Sequence, residues 1–358
     1  MPLGGHFYTA ANTFNPSSSL PQSFEYVDLE SVVGTELLGS RSETIDSAPS
    51  RAQRLACKGD VFYQAVRPYQ KNNYLFDLSC DNYVFSTGYI QIRPNINSQF
   101  LLNLVQKNDF VLRVLENCTG TSYPAINTTG LKNIEAFISS HIDEQGQIGE
   151  FFQNLDQSIA LHEKKLAQTQ KFKKAMLEKM FPKQGSNRPE IRLKGFSGDW
   201  EVKRLGEVCR ITTGKKDVNE GHPDGQFPFF TCSRSHTFCN VFSFDTEAIL
   251  IAGNGDVGNL HYFYGKFEAY QRTYVLYDFS IQVGYLWQQL NYNLGNSLGL
   301  GKIGSSIPYI KMENLTGFEF GSPVDTSEQT AIATVLSDMD AELSALEARR
   351  DKTRNIKQ

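Results

Sequence analysis

Hydrophobic positions along the chain alternate between two regimes, and the alternation occurs twice. From Phe24 to about Ile138, short aromatic and β-branched segments are broken by Gly, Asn and Pro, which predicts strands, most clearly over residues 61–66 and 89–92. A helix is predicted over residues 100–115, with Leu101, Leu104, Val105 and Leu112 on one side. From Asp143 to Phe181 the text turns polar and helical. Its apolar or tolerated residues Ile148, Phe152, Leu155, Ile159, His162 and Leu166 step by 4, 3, 4, 3 and 4, a heptad seam that Pro182 and Gly185 bring to a stop. The second half repeats the order. Strands are predicted over 248–251, 274–277 and 318–320 and a helix over 281–290, followed by a seam at Ile332, Leu336, Met339, Leu343, Leu346 and Arg350. Asp325-Thr326-Ser327-Glu328 predicts an N-cap with its capping-box acid. Each long helix would span about 50 Å at the helical rise per residue. One such stripe is ordinarily a surface helix lying on its own core. Two matching stripes, each ending a similar half, favour mutual packing.

The halves are also related residue by residue. Gly120-Thr121-Ser122-Tyr123-Pro124-Ala125-Ile126 returns 184 positions later as Gly304-Ser305-Ser306-Ile307-Pro308-Tyr309-Ile310. Glu144-Gln145 returns as Glu328-Gln329 at the same offset. Residues 25–32 echo residues 201–208 at an offset of 176, so one half carries an insertion. A period this long marks a duplicated domain and excludes a solenoid. The expected fold is α+β: two similar mixed α/β domains, over 1–142 and 185–324, separated by two long helices, over 143–184 and 325–358, packed as an antiparallel coiled coil. The second helix reads as truncated at Gln358, and residues 1–24, with Pro16, Ser17-Ser18-Ser19 and Pro21, read as a loose start. Residues 187–200 read as a linker into the second domain.

Composition adds limits. With 40% hydrophobic and 21% charged residues, no apolar run long enough for a bilayer and no signal-peptide start, the expectation is a cytoplasmic protein without membrane contact. Six cysteines fit no paired zinc spacing and read as reduced thiols; Cys232, His236 and Cys239 lack an evident fourth ligand, so no metal is expected. A net charge of −4 is unlike a free-standing nucleic-acid binder, so any DNA partner would need another protein to neutralise phosphates.

Candidate chemistry lies in loops. Gly253-Asn254-Gly255-Asp256-Val257-Gly258 has the spacing of a dinucleotide-binding turn, but an alternating, hairpin-like stretch follows it where that turn needs a helix. A glycine-rich loop between strands is the expected reading. The chain carries no Asn-Pro-Pro-Tyr or Asp-Pro-Pro-Tyr run, no Gly-x-Ser-x-Gly, no His-Glu-x-x-His and no P-loop. Arg67, Tyr69, Gln70, Lys71, Asn72 and Asn73 cluster after one strand; Gln271 and Arg272 sit between two others; Lys215, Lys216, Arg234 and Lys302 lie in further turns. Any one of them is ordinarily a solvated loop residue. Together they offer Arg, Gln and Asn, which pair with guanine and adenine edges, and Lys, which suits phosphates. Thr87, Ser122, Asn254 and Ser305 complete the candidate DNA-binding set, in which Arg67 and Arg272 are favoured for base contact.

With these pieces assembled, the chain resembles the specificity subunit of a type I restriction–modification system over nearly its whole length. The resemblance rests on Pro189 to Phe196 with Asp199-Trp200-Glu201, on Leu205-Gly206-Glu207-Val208, and on Ile249 to Gly253 with Gly255 and Gly258. The 304–310 run and the helix openings at Glu144-Gln145 and Glu328 to Ile332 complete it. It implies a non-catalytic DNA-recognition subunit whose two target-recognition domains each read half of a split site. It implies helices that dock modification (methyltransferase) subunits carrying S-adenosylmethionine and adenine N6 chemistry, with no cofactor in this chain, and a restriction (endonuclease) subunit joining for cleavage. Gln145, Phe152, Leu155, Ile159, Leu166, Gln329, Ile332, Leu336, Met339, Leu343 and Leu346 are the candidate docking positions. Residues 40–56 have no counterpart in the second half. Two other classes remain open: a methyltransferase with a degenerate site, which would bind S-adenosylmethionine alone, and a coiled-coil scaffold that does not bind DNA.

Overall fold

The computed structural model describes residues 7–9, 20–183, 185–298 and 309–357, in two compact units: residues 1–161 with 352–358, and residues 162–351. In the first unit the strands are β1 (Phe7–Thr9), β2 (Ser23–Val27), β3 (Val32–Val33), β4 (Glu36–Leu37), β5 (Arg41–Thr44), β6 (Ala52–Leu55), β7 (Val61–Gln64), β8 (Tyr74–Leu75), β9 (Tyr83–Ser86) and β10 (Tyr89–Pro94). They form a β1-β10-β7-β8 sheet, a β5-β2-β9-β6 sheet and a small β3-β4 pair. Residues 61–64 of β7 and 89–92 of β10 are buried on both faces, so their text is apolar or aromatic apart from the buried Gln64 and Gln91 and does not alternate with exposed positions. Val61, Tyr63, Ile90 and Ile92 face helices α1 (Ser98–Gln106) and α2 (Asn108–Glu116). Phe62 and Tyr89 face the second sheet, where Phe62 stacks on Phe85 with ring centroids 3.6 Å apart. A short helix α3 (Thr128–Asn133) follows.

The single helix expected over 100–115 is therefore two. Val105 and Phe110 are both buried, but five residues apart they would sit about 140° from each other on one straight helix. An extended Lys107 (φ −62°, ψ 138°) breaks the helix and turns both onto the core, and Leu112 ends 59% exposed. The segment 40–56 supplies β5 and β6, which enclose β2 in an additional sheet. That is why the echo between 25–32 and 201–208 does not survive as structure: β2 pairs with β5 and β9, whereas β11 (Glu201–Arg204) pairs with β18 (Glu319–Ser322).

The second unit holds α5 (Leu205–Val208), β12 (Arg210–Thr213), β13 (Phe227–Phe230), β14 (Thr237–Cys239), β15 (Phe244–Ala252), β16 (Leu260–Ala269), β17 (Thr273–Tyr277), α6 (Val283–Ser297) and α7 (Met312–Thr316). Six strands pair in the order β12-β17-β15-β16-β13-β14. Ala248, Leu250 and Val275 pack with Phe230 and Phe267 on one face, and Ile249, Ile251 and Leu276 pack with Tyr285, Leu286 and Leu290 of α6 on the other. Burying one such side chain stabilises by about 1.5–3 kcal/mol, so the two-sided burial accounts for the unbroken Ala-Ile-Leu-Ile-Ala run.

Helix α4 (Ile142–Met180) and helix α8 (Thr326–Lys357) follow the expected seams: the 4-3-4 positions are buried or half-buried between exposed neighbours. In the second unit Lys173 pairs with Asp340 and Lys165 with Glu342; in the first, Lys357 pairs with Asp156. Within the second unit, numbering rises on one helix as it falls on the other, so the pairing there is antiparallel. Met176, Leu177 and Met180 join Ile332, Leu336 and Met339 in the second unit's core. The capping box at α8 is only half formed. Asp325 Oδ1 accepts from Ser327 N (2.7 Å), but the Glu328 carboxylate is buried and takes two hydrogen bonds from the Arg192 guanidinium, both 2.8 Å. Among the described residues no helix is long and apolar enough to cross a membrane.

Candidate nucleic-acid interface

The repeated motifs do the same structural work in both units. Ile126 N donates to Ala65 O (3.0 Å) and Ile310 N donates to Gly253 O (2.9 Å), so each copy of the Gly-Thr/Ser-Ser run ends by strapping the exit of a central strand. Ala65 N donates to Gly88 O, and Gly253 N to Arg272 O, both 2.9 Å. Gln145 Oε1 accepts from Asn97 N (3.2 Å) and its Nε2 donates to Ser139 O (2.8 Å). Gln329 Oε1 accepts from Gln282 N (3.1 Å) and its Nε2 donates to Pro323 O (2.9 Å). Both glutamines, named above as docking candidates, are buried and engaged inside their own units, tying a long helix to the N-cap of α1 or α6.

In the first unit the strapped exit carries residues 66–73. Arg67 and Lys71 both adopt the left-handed conformation (φ 55° and 57°), on either side of a single 3-10 turn. The Arg67 guanidinium lies 4.4 Å from the centroid of the exposed Tyr123 ring. Tyr69 and Gln70 are exposed, Lys71 Nζ donates to Asn108 Oδ1 (2.5 Å), and Ser122 is exposed beside Tyr123. Thr87 is half-buried, and its N–H donates to Arg51 O. From below, buried Asn73 accepts from Gln64 N (2.8 Å), and the buried Gln64 amide holds Asn72 N and the Gln70 side chain.

In the second unit four loops meet. Gln271 N donates to Lys216 O (3.0 Å), Asp256 N to Cys232 O (3.1 Å), and Asn259 and His261 both approach Ser233 O. This brings together Lys215, Arg234, Gln271 and Arg272, all exposed, with half-buried Asn254. Gly253 is required there: an added Cβ would lie 2.6 Å from Arg272 O. Its loop joins β15 to β16 with no helix following, so the dinucleotide-turn reading does not hold. Lys216, also a DNA-binding candidate, is half-buried and ion-paired. Its ammonium is 2.7 Å from Glu220, whose carboxylate raises the Lys216 pKa. Lys302 and Ser305 lie outside the described residues. Cys232 Sγ bonds Arg272 O, Cys239 Sγ bonds Val241 O, and the His236 ring packs on Phe230. Among the described residues no three His, Cys, Asp or Glu side chains are grouped to hold a metal.

Each unit thus presents basic and amide side chains on loops at the exits of central strands, on a scaffold repeated across the chain. The family model described as the type I restriction modification DNA specificity domain matches twice, over residues 8–171 and 197–354. The chain belongs to that family. Its specificity-domain copies span both units and most of both long helices. Over 158 residues, 44% of this chain, it is 40% identical to the type I restriction enzyme EcoDI specificity subunit of Escherichia coli. Over 144 residues, 38% of this chain, it is 28% identical to the HindI specificity subunit of Haemophilus influenzae (strain ATCC 51907 / DSM 11121 / KW20 / Rd). These matches span 35% and 31% of the two relatives' own lengths. The fold is similar to a solved type I restriction-modification system S subunit from M. genitalium, with a TM-score of 0.66 at 14% identity, covering 100% of this chain and 93% of that one. It is also similar to a chain solved in work on complex assembly and conformational transition of the type I R-M system, with a TM-score of 0.56 at 22% identity, covering 100% and 94%.

Sequence reasoning missed the parts that aim the loops. Gln64 reads as an ordinary strand residue, and its only signal is a polar side chain closing an apolar run. Tyr123 stood inside the repeated motif, where its partner Arg67 is invisible without the fold.

Proposed function

We propose that this chain is the DNA-specificity subunit of a type I restriction–modification complex, each unit reading one half of a bipartite site. The observation that carries the reading is the pair of loop clusters, Arg67 to Asn72 with Tyr123 in one unit and Lys215, Arg234, Gln271 and Arg272 in the other, built on equivalent strand exits. Arg, Gln and Asn on such loops suit base edges, and Lys suits phosphates. At a net charge of −4 the chain neutralises few phosphates, so methyltransferase subunits that close around the DNA supply the rest. Those subunits carry S-adenosylmethionine and methylate adenine; this chain contributes no chemistry, acts in the cytoplasm, and admits a restriction subunit for cleavage. The exposed faces of α4 and α8 are the docking surface, with Phe152, Leu155, Ile159, Leu166, Ile332, Leu336, Met339, Leu343 and Leu346 holding the helices beneath it.

The test is co-expression with the cognate methyltransferase subunit in a methylation-free host, followed by mapping of methylated adenines. A single bipartite motif that disappears when this chain is omitted is the expected result. Methylation indifferent to this chain would overturn the reading.

A further inference from the structure

Resting on that reading, we propose that buried Gln64 sets the hydrogen-bonding polarity of the first unit's loop, making Gln70 a donor that selects a keto base, guanine or thymine. The polarity follows from a backbone group. Asn72 N can only donate, so the Gln64 atom 3.0 Å from it is Oε1. The other end of the Gln64 amide is then Nε2, which can only donate, so its partner at 2.7 Å is Gln70 Oε1. The one-way Asn72 N–H thus fixes both amide orientations. Gln70 is exposed, and among the described residues its Nε2 has no acceptor, so donors are what it offers a ligand. Asn72 is polarised alike: Gly34 N donates to its Oδ1 at 2.9 Å. Burial makes the relay firm, since Gln64 is 1% exposed and Asn73 pins its backbone N–H.

In the major groove guanine shows only acceptors and thymine one acceptor with a methyl group, cytosine shows a donor, and adenine shows one of each. A donor-only Gln70 disfavours cytosine and cannot make the two-pronged adenine contact that a freely turning glutamine makes.

Two substitutions should turn the outward group into an acceptor by separate routes. In Gln64→Glu the introduced carboxylate accepts from both Asn72 N and Gln70 Nε2, so the Gln70 amide turns over and shows Oε1. In Gln70→Glu, at an exposed position where folding is not at stake, one carboxylate oxygen keeps the Gln64 Nε2 bond and the other faces outward. Each variant, in the full chain with its methyltransferase subunit, is read by sequencing methylated adenines across the host genome. Both should shift the same single position of one half-site from guanine or thymine to adenine or cytosine, by about tenfold in relative methylation. Gln64→Leu, which removes the tether, should leave that position degenerate and the other positions intact. An unchanged base in Gln70→Glu, shifts at different positions in the two variants, or a uniform loss of methylation in Gln70→Glu would overturn the relay. A wild-type motif that does not depend on this chain would sink the recognition reading itself, and the relay with it.

Discussion

Gln329→Ala tests whether the repeated Glu-Gln pair is an internal anchor or a docking contact. The substitution leaves Gln282 N, the half-buried N-cap amide of α6, without its partner and takes one of two donors from the carbonyl of buried Pro323, which keeps Ser322 Oγ at 3.2 Å. Each of the two lost bonds is worth about 0.5–1.5 kcal/mol, so the sum is about 1–3 kcal/mol. With a urea slope of about 2 kcal/mol per molar, a loss near 2 kcal/mol lowers the midpoint by about 1 M. Gln145→Ala removes the equivalent bonds to Asn97 N and Ser139 O, but both residues are only half-buried, and water can replace the lost partner. Its cost should be nearer 1 kcal/mol. The assay is built into the chain: both of its tryptophans, Trp200 and Trp287, belong to the second unit, so fluorescence reports that unit. Gln329→Ala should shift the fluorescence transition in urea, and Gln145→Ala should leave it within about 0.3 M of wild type. A Gln329→Ala midpoint indistinguishable from wild type, alongside weakened capture of the methyltransferase subunit, would refute the anchor and restore the docking role.

Arg192→Ala should destabilise the second unit by about 3–5 kcal/mol in the same urea titration, because it strands the buried Glu328 carboxylate, and Arg192→Lys should recover only part of that. Arg272→Ala should relax discrimination in one half-site by about 1–3 kcal/mol and leave the other untouched, as read by mapping methylated adenines. Adding one heptad to both α4 and α8 adds about 10.5 Å of helix, which should lengthen the spacer of the DNA site by about three base pairs without changing either half-site. Gly149→Val should lower the thermal midpoint of the chain. Even a Cβ at that position would meet Asn97 Oδ1 at 2.7 Å, whereas the position 184 residues later holds Ala333 and tolerates a methyl.

Elements with a period were legible in the sequence. The heptad seams of α4 and α8 and the two-sided burial of β7, β15 and β17 follow from apolar spacing alone, because burial on one stripe or on both faces writes itself into the text. The break at Lys107 was hidden, since five-residue spacing between Val105 and Phe110 looks tolerable until one asks where a straight helix would point them. Glu328 was read as a capping acid because the rule is local, and Arg192, 136 residues away, outcompetes the local donor with two charge-assisted bonds. The ion pair of Lys216 with Glu220 is visible in sequence only as an i+4 spacing, and nothing local marks that turn as closed. Loop residues were nameable as a class. Their orientation was not, because it depends on buried groups such as Gln64 and Asn73.

The duplication separates what the scaffold requires from what recognition is free to change. Aligned through their shared hydrogen bonds, Ala65 and Gly253 are equivalent, as are Gly88 and Arg272. Two residues beyond the first pair, Arg67 and Gly255 share a left-handed backbone, with φ of 55° and 63°. The strand exit and this left-handed position are thus common, while the guanidinium moves from two residues past the exit in one unit to the residue that bonds the exit in the other. A left-handed position favours glycine, and keeping arginine there costs about 1 kcal/mol that the second unit avoids. Within the first unit that strain is held by Arg67 N donating to Pro124 O (2.8 Å) and by the guanidinium stacked on Tyr123. Structure alone gives no reason to place an arginine at such a position. Recognition, as proposed above, supplies one: a guanidinium for a base edge, held on a left-handed position where the second unit has glycine.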